Sequence, residues 1–234
     1  MLILPLLGNA SRFKNQGITV PKYLLCIAGK PVLHWVLKSF EKITEDIIIL
    51  YRSDQVTDTQ ILKVCDEFCN HNIELIPHDK VTSGQAESVY LATNSLQNQS
   101  VLTFNGDSFF DKPLSTTDVL ENANFVSTFT AEGNQWSFVQ ASEDDILLDI
   151  KEKYRISDDC SNGLYGFASS ANYNHYFEMT KMNNLFDNEI FVSDVIKTMI
   201  VHEETFYKVH CKQTYVNCGT PVELTESRKT FHAY

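Results

Sequence analysis

The sequence predicts an α/β fold: a mostly parallel, mixed central sheet flanked by helices. Three observations predict it. Short apolar runs alternate with segments whose apolar residues recur at helical spacing. The apolar runs of the first half are nearly continuous, as strands buried on both faces require. The second half changes to short strand-like runs divided by turn residues.

Met1 to Leu7 is the first apolar run, interrupted only by Pro5, and reads as a buried strand. A polar loop follows from Gly8 to Pro21. Ala28-Gly29-Lys30-Pro31 is a turn, and Pro31 is placed to open a helix carrying Val32, Val36 and Phe40. Ile47 to Tyr51 and Ile73 to Ile76 read as strands, with a helix marked by Ile61, Val64 and Phe68 between them. Ala86 to Leu96 is helical in pattern, and Val101 to Phe104 is a strand that ends at Asn105-Gly106-Asp107. Phe125 to Thr130, Trp136 to Ala141, Ile146 to Ile150 and Leu164 to Ala168 are the strands of the second half. Helices are expected around Asn172 to Met182 and Glu189 to Ile200, and a late strand at Phe206 to Val209. Nothing reads as a linker or a repeat. The expectation is one domain over residues 1–234, with an N-terminal nucleotide-binding half (1–122) and a more mixed C-terminal half (123–234).

Composition narrows the function. Hydrophobic residues make up 43% of 234, which supports a sizeable core and excludes a disordered chain. A formal net charge of −11 argues against nucleic-acid or anionic-membrane partners, although a few local cations still suffice to hold phosphates. No apolar run reaches membrane-spanning length. The N-terminus does not read as a secretory signal, so a cytoplasmic location is expected. In that compartment the six cysteines read as reduced thiols in preference to disulfides, or to zinc at Cys65 and Cys69.

Ligands of open parallel sheets sit beyond the carboxyl ends of strands. Leu7, Gly8, Asn9, Ala10, Ser11 and Arg12 occupy such an end. Glycine lets backbone approach a phosphate, and the arginine fork suits phosphate oxygens. Lys22 follows Pro21, a residue that fixes chain direction. Taken singly, these are also what an ordinary polar loop contains. Asp107 stands where a strand-end carboxylate can hold a divalent cation, though Asn-Gly-Asp is equally good turn chemistry.

The order Gly8, Arg12, Pro21-Lys22, Gly29-Lys30-Pro31 resembles the signature of the nucleotidyltransferases that activate sugar phosphates, near the small bacterial members used in surface-polysaccharide synthesis. The resemblance runs from about Leu2 to Leu224 and rests on the order of several motifs. It implies a Rossmann-type fold of the GT-A-like, nucleotide-diphospho-sugar transferase kind, residues 123–234 as the acceptor-binding half, and release of pyrophosphate. Arg12 and Lys22 would be catalytic, while Gly84 and Gln85 would read the base of a nucleoside triphosphate, preferably a pyrimidine. Asn105 and Gly106 would also face the nucleotide. Glu152 and Lys153 match the family's Glu-Lys pair, and Gly163 and Tyr165 its Gly-x-Tyr-x-Phe strand, so all four would bind a small phosphorylated acceptor. Asp107 would be the principal Mg²⁺ ligand, joined by Asn217 of the late Asn-Cys-Gly-Thr-Pro segment. Three positions depart from the family pattern: Leu7 and Ala10 replace small residues and glycine, and Asn217 replaces an aspartate. The chain ends soon after Gly-Thr-Pro, so no C-terminal β-helix domain is expected. A homo-oligomer is left open, as is the acceptor's identity. Two other readings compete: a glycosyltransferase of related fold, for which Asn105-Gly106-Asp107 is a partial Asp-x-Asp match, and an inactive nucleotide-binding homologue.

Overall fold

The structure, a computed structural model, describes residues 1–44, 46–183 and 189–232. The strands are β1 (Leu2–Leu6), β2 (Cys26–Ile27), β3 (Lys30–Pro31), β4 (Asp46–Arg52), β5 (Asn72–His78), β6 (Val101–Thr103), β7 (Ser108–Phe110), β8 (Phe125–Thr130), β9 (Ser137–Ala141), β10 (Leu147–Glu152), β11 (Asp159–Phe167), β12 (Tyr207–His210) and β13 (Tyr215–Asn217). The helices are α1 (Ser11–Lys14), α2 (Val32–Phe40), α3 (Asp58–Cys65), α4 (Gln85–Thr93), α5 (Ser170–Asn183), α6 (Val192–Val201) and α7 (Pro221–Thr230). The alternating elements of the first half and the strand-rich second half form the predicted mixed sheet with flanking helices.

Two compact units share the chain, and each draws on both of its halves. The first comprises Met1–Ile3, Thr82–Phe104 and Thr117–Cys211. The start of β1 lies parallel to β6, with Leu2 opposite Leu102 and Ile3 opposite Thr103. β11 runs antiparallel to β6, β8 and β9, and β10 is antiparallel to β9. β12 lies parallel to β8. β11 is longer than the apolar run at its C-terminal end suggests, because Asp159, Cys160 and Ser161 pair through backbone with β8, and Cys160, Ser161 and Asn162 bury their side chains regardless of polarity. Asn162 is fully buried and donates to Ser127 Oγ at 2.9 Å. On α5 the buried residues are Ser170, Tyr173, Phe177 and Thr180, three or four apart, so one stripe faces inward. Tyr173 caps that stripe by donating its hydroxyl to the Ala86 carbonyl at 2.9 Å.

The second unit comprises Leu4–Val81, Asn105–Thr116 and the described part of Lys212–Tyr234. The end of β1 lies beside β4, and β4 pairs parallel with β5 from Asp46↔Asn72 to Arg52↔His78. Ile47 to Tyr51 are all buried, the pattern expected of a strand covered on both faces. The Ala28-Gly29 turn joins β2 to β3 as a two-residue hairpin, with positive φ at both residues (47° and 79°), as a type I′ turn requires. α2 starts one residue after Pro31 and buries eight of its nine residues. The helix expected through Phe68 ends at Cys65 and tightens into a 3₁₀ turn over Asp66–Phe68. Likewise, the helix expected over Ala86 to Leu96 begins at Gln85 and ends at Thr93 in the first unit.

The sequence expectation does not include α1, the β2–β3 hairpin, the β7–β13 ladder or α7. All six cysteines are free; Cys65, Cys160, Cys211 and Cys218 are buried, and Cys26 and Cys69 are exposed. Among the described residues no helix is long and apolar enough to cross a membrane.

Candidate functional site

The second unit gathers one constellation. β7 and β13 form a short antiparallel ladder that sets Asn217 opposite Ser108, and the pairing continues as the Cys218 amide donates to the Asp107 carbonyl at 2.9 Å. Asp107 and Asn217, 110 positions apart by number, are thereby fixed side by side. α2 holds the ladder: the Phe110 amide donates to Ser39 Oγ at 3.0 Å, and the Leu114 amide to the Ser39 carbonyl at 2.8 Å. Trp35 of the same helix stacks 6.0 Å from Phe109 and meets Phe231 edge-on at 5.0 Å.

Lys22 opens the 3₁₀ turn Lys22–Leu24, whose direction is set by Pro21. Its Nζ lies 2.5 Å from Asp107 Oδ2. Asn217 turns its amide oxygen to the Gly219 N–H (3.1 Å), while its Nδ2 donates to Glu223 Oε1 at 2.8 Å. A methyl group at Gly219 would lie 3.1 Å from Asp107 Oδ2, 3.3 Å from Asn217 Oδ1 and 3.6 Å from Glu223 Oε2. Three oxygens therefore border one corner that glycine keeps open. Among the described residues no group of three or more His, Cys, Asp or Glu is placed to hold a metal. The Asp107 carboxylate and the Asn217 carboxamide are both hard oxygen donors, and their chemistry fits Mg²⁺.

The loop after β1 has mixed geometry. Leu7 is fully buried, so its side chain belongs to the core and only its backbone is available. Gly8 and Asn9 are exposed, and Asn9 Oδ1 accepts from Lys14 Nζ at 3.3 Å. Ala10 adopts φ 49°, ψ 37°, the left-handed region that favours glycine, and leads into α1 at Ser11. Arg12 is exposed, with no hydrogen bond or ion pair among the described residues. Gly106 packs so closely that a Cβ would lie 1.8 Å from Leu6 Cδ2. Asn105 beside it is half-buried.

A second constellation lies in the first unit. Gly84 leads into α4, and an added Cβ would meet the Ile190 carbonyl oxygen at 2.2 Å. The Ile190 amide donates to Ser83 O at 3.0 Å and that of Ala86 to Ile190 O at 3.3 Å, so the start of α4, with half-buried Gln85, is stitched to this segment. At the end of β10, Glu152 Oε2 accepts from Ser137 Oγ and, at 3.3 Å, from Ser193 Oγ. Lys153 Nζ lies 3.5 Å from Glu152 Oε1 and 4.4 Å from the Phe191 ring centre. Lys153 has φ 54°, a strained backbone for a residue with a side chain. Gly163, at φ 84°, sits at the irregularity in β11 between Ser161 and Tyr165. Burial pushes the Tyr165 hydroxyl up to about 12, with the nearby Glu152 charge acting in the same direction.

Of the sequence-predicted residues, Lys22, Asp107 and Asn217 therefore come together in the second unit, and Glu152 and Lys153 in the first. Sequence reasoning missed Glu223, Ser137, Ser193 and Phe191. Only Glu223 carried a signal, since Thr220-x-x-Glu223 is a helix-start pattern.

Comparison with known proteins identifies the family and the fold. The profile of the MobA-like NTP transferase domain matches residues 8–143, more than half of the chain. The bifunctional protein GlmU of Methanocaldococcus jannaschii is 24% identical over 226 residues, covering 95% of this chain and 52% of that protein. The chain thus spans about half the length of the curated relatives it matches. The crystal structure of a nucleoside-diphosphate-sugar pyrophosphorylase from Vibrio cholerae RC9 superposes with a TM-score of 0.85 at 23% identity, over 98% of this chain and 100% of that one. The inositol-1-phosphate CTP transferase of T. maritima superposes with a TM-score of 0.73 at 14% identity, over 97% and 92%. At these identities the structural likeness speaks for the fold.

Proposed function

The chain belongs to the MobA-like NTP transferase family, and from that premise we propose that it couples a nucleoside triphosphate to a sugar phosphate or similar small phosphorylated acceptor, releasing pyrophosphate. The observation that carries the proposal is the meeting of Lys22, Asp107 and Asn217 around the open corner at Gly219. Cation, carboxylate and amide oxygen are what a polyphosphate and its divalent ion require.

In the reaction, a phosphate oxygen of the acceptor attacks the α-phosphorus of the triphosphate. The new P–O bond forms as the bond to the β-phosphate breaks, and pyrophosphate leaves with those electrons. A phosphate monoester is already nucleophilic, so no general base is called for. The barrier is bringing two anions together, and fixed positive charge lowers it. Lys22 is one such charge, and exposed Arg12 has a fork of donors free for phosphate oxygens. Asp107 and Asn217 would hold Mg²⁺, which when bound supplies further charge neutralisation at the phosphates. The loop from Leu7 to Ser11, with Asn105 and Gly106, would follow the nucleotide, and Gly84 and Gln85 would face its base. A pyrimidine is favoured, in keeping with the CTP named for the T. maritima enzyme of similar fold. Glu152, Lys153, Gly163 and Tyr165 would receive the acceptor: Lys153 its phosphate, and the Glu152 carboxylate its hydroxyls.

We place this activity in the cytoplasm, in the supply of nucleotide-activated precursors for capsule or surface polysaccharide. The test is a matrix of triphosphates against phosphorylated acceptors with Mg²⁺, read by pyrophosphate release. One productive pair is expected. Consumption of a nucleotide sugar without pyrophosphate formation would favour a glycosyltransferase instead. Stabilisation by nucleotide with no turnover for any pair would favour an inactive binding protein.

A further inference from the structure

We propose that Glu223 is a positioning residue for the metal site: its carboxylate fixes the rotation of the Asn217 side-chain amide so that the oxygen, not the nitrogen, faces the corner beside Asp107. The inference rests on the reading of Asp107 and Asn217 as ligands of a divalent cation.

A carboxamide is nearly symmetric in shape, and its two ends differ only in hydrogen-bonding sense. Nothing in the covalent structure of an asparagine tells it which end to present. At Asn217 two one-way partners decide. The Gly219 backbone N–H, which can only donate, lies 3.1 Å from Oδ1. Glu223 Oε1, which as a carboxylate only accepts, lies 2.8 Å from Nδ2. Reversing the amide would set its nitrogen against an N–H and its oxygen against a carboxylate, losing two hydrogen bonds and creating two repulsions. The charge-assisted contact to Glu223 is the stronger of the two.

The geometry also accounts for the residue type at position 217. An aspartate there would set a second carboxylate 2.8 Å from Glu223, where like charges are costly. The asparagine is thus a neutral ligand made directional by an anionic neighbour. Glu223 itself is held by the start of α7: its amide donates to Thr220 Oγ1 at 3.2 Å, with Pro221 at the first helical position. The half-exposed Asn217 is therefore ordered by a helix end and not by burial.

Binding of Mn²⁺ alone to the purified full chain, followed by loss of the free-ion electron paramagnetic resonance signal, tests this without turnover. E223M keeps the size and removes the acceptor. E223Q keeps an amide oxygen that still accepts from Asn217 and removes the charge. The expected result is about tenfold weaker Mn²⁺ binding in E223M and binding within about threefold of the parent in E223Q. Equal loss in both would make Glu223 itself a charged ligand and overturn the positioning role, as would no loss in either. D107N separates this failure from that of the underlying reading. If the parent binds no Mn²⁺, or D107N binds it as the parent does, the metal site itself is wrong. Thermal melting shows whether each variant is folded, and E223A replaces E223M if that chain does not fold.

Discussion

Lys22 Nζ rests 2.5 Å from Asp107 Oδ2 across 85 residues of sequence, with side-chain exposures of 26% and 19%. A partly exposed pair of this kind contributes about 0–1 kcal/mol to folding. Its placement matters more than its stability. Lys22→Ala and Asp107→Ala are each expected to cut pyrophosphate release by about a hundredfold or more, while the unfolding free energy changes by less than about 1 kcal/mol. Turnover assays beside thermal melts check both halves. Unchanged turnover in the two variants would remove this pair from the chemistry.

Ala10 offers a test of backbone strain. A left-handed conformation costs a residue with a Cβ about 1–2 kcal/mol, and glycine escapes most of that. Glycine also gains freedom in the unfolded chain, which offsets part of the benefit. Ala10→Gly is therefore expected to stabilise the protein by up to about 1 kcal/mol, measured as a higher urea midpoint with unchanged slope. A lower midpoint would contradict the φ of 49° at this residue.

What the sequence made legible follows from where its signals are local. β4 and α2 could be read because burial on both faces, or on most of a helix, leaves a dense apolar pattern. Asp107 and Lys22 were legible as motif residues. The ladder that brings Asn217 beside Asp107 was not. β7 and β13 have three residues each, too few for a period, and their pairing from Ser108 to Asn217 has no local signature. α7 buries only Leu224 and Ser227, so its start signal at Thr220-Pro221 had no apolar stripe behind it. Ser137 and Ser193 gained meaning only once β9 and α6 had placed them on Glu152.

Gly84 tests the joint at the start of α4. A Cβ there would lie 2.2 Å from the Ile190 carbonyl oxygen and 2.8 Å from its nitrogen. Both are backbone atoms, so no side-chain rotation relieves the overlap. Gly84→Ala is expected to destabilise by roughly 1–3 kcal/mol, as overpacking does. Nucleotide affinity should fall with it, because Gln85 follows directly. A melt indistinguishable from the parent would show that the two segments are not in contact.

The cysteines give a pH-dependent readout. Burial pushes the thiols of Cys65 and Cys218 up to about 12, and that of Cys160 upward as well. Only thiolates react readily, so these groups stay protonated and inert through neutral and mildly alkaline pH. A disulfide reagent at pH 8 is expected to titrate the two exposed thiols, Cys26 and Cys69, in the native protein, and all six after denaturation. Raising the pH to 9 should leave Cys65, Cys160 and Cys218 unreactive. Fast modification of Cys218 would mean that the segment beside Asp107 opens readily.

Glu152 separates acceptor binding from nucleotide binding. Its Oε2 is occupied by the Ser137 and Ser193 hydroxyls, and Oε1 faces Lys153 at 3.5 Å, so the carboxylate is held in one orientation while staying 18% exposed. A fixed, partly exposed acceptor suits substrate hydroxyls, and losing hydrogen bonds to a charged group costs about 1.5–3 kcal/mol. Glu152→Ala should therefore raise KM for the acceptor by roughly 10- to 150-fold, with KM for the triphosphate nearly unchanged. Ser137→Ala with Ser193→Ala frees the carboxylate to rotate without removing it, so a smaller rise in the same constant is expected, restored by Thr at either position if the hydroxyl fits. An equal rise in both KM values for Glu152→Ala would assign the residue to general stability and take it out of the acceptor site.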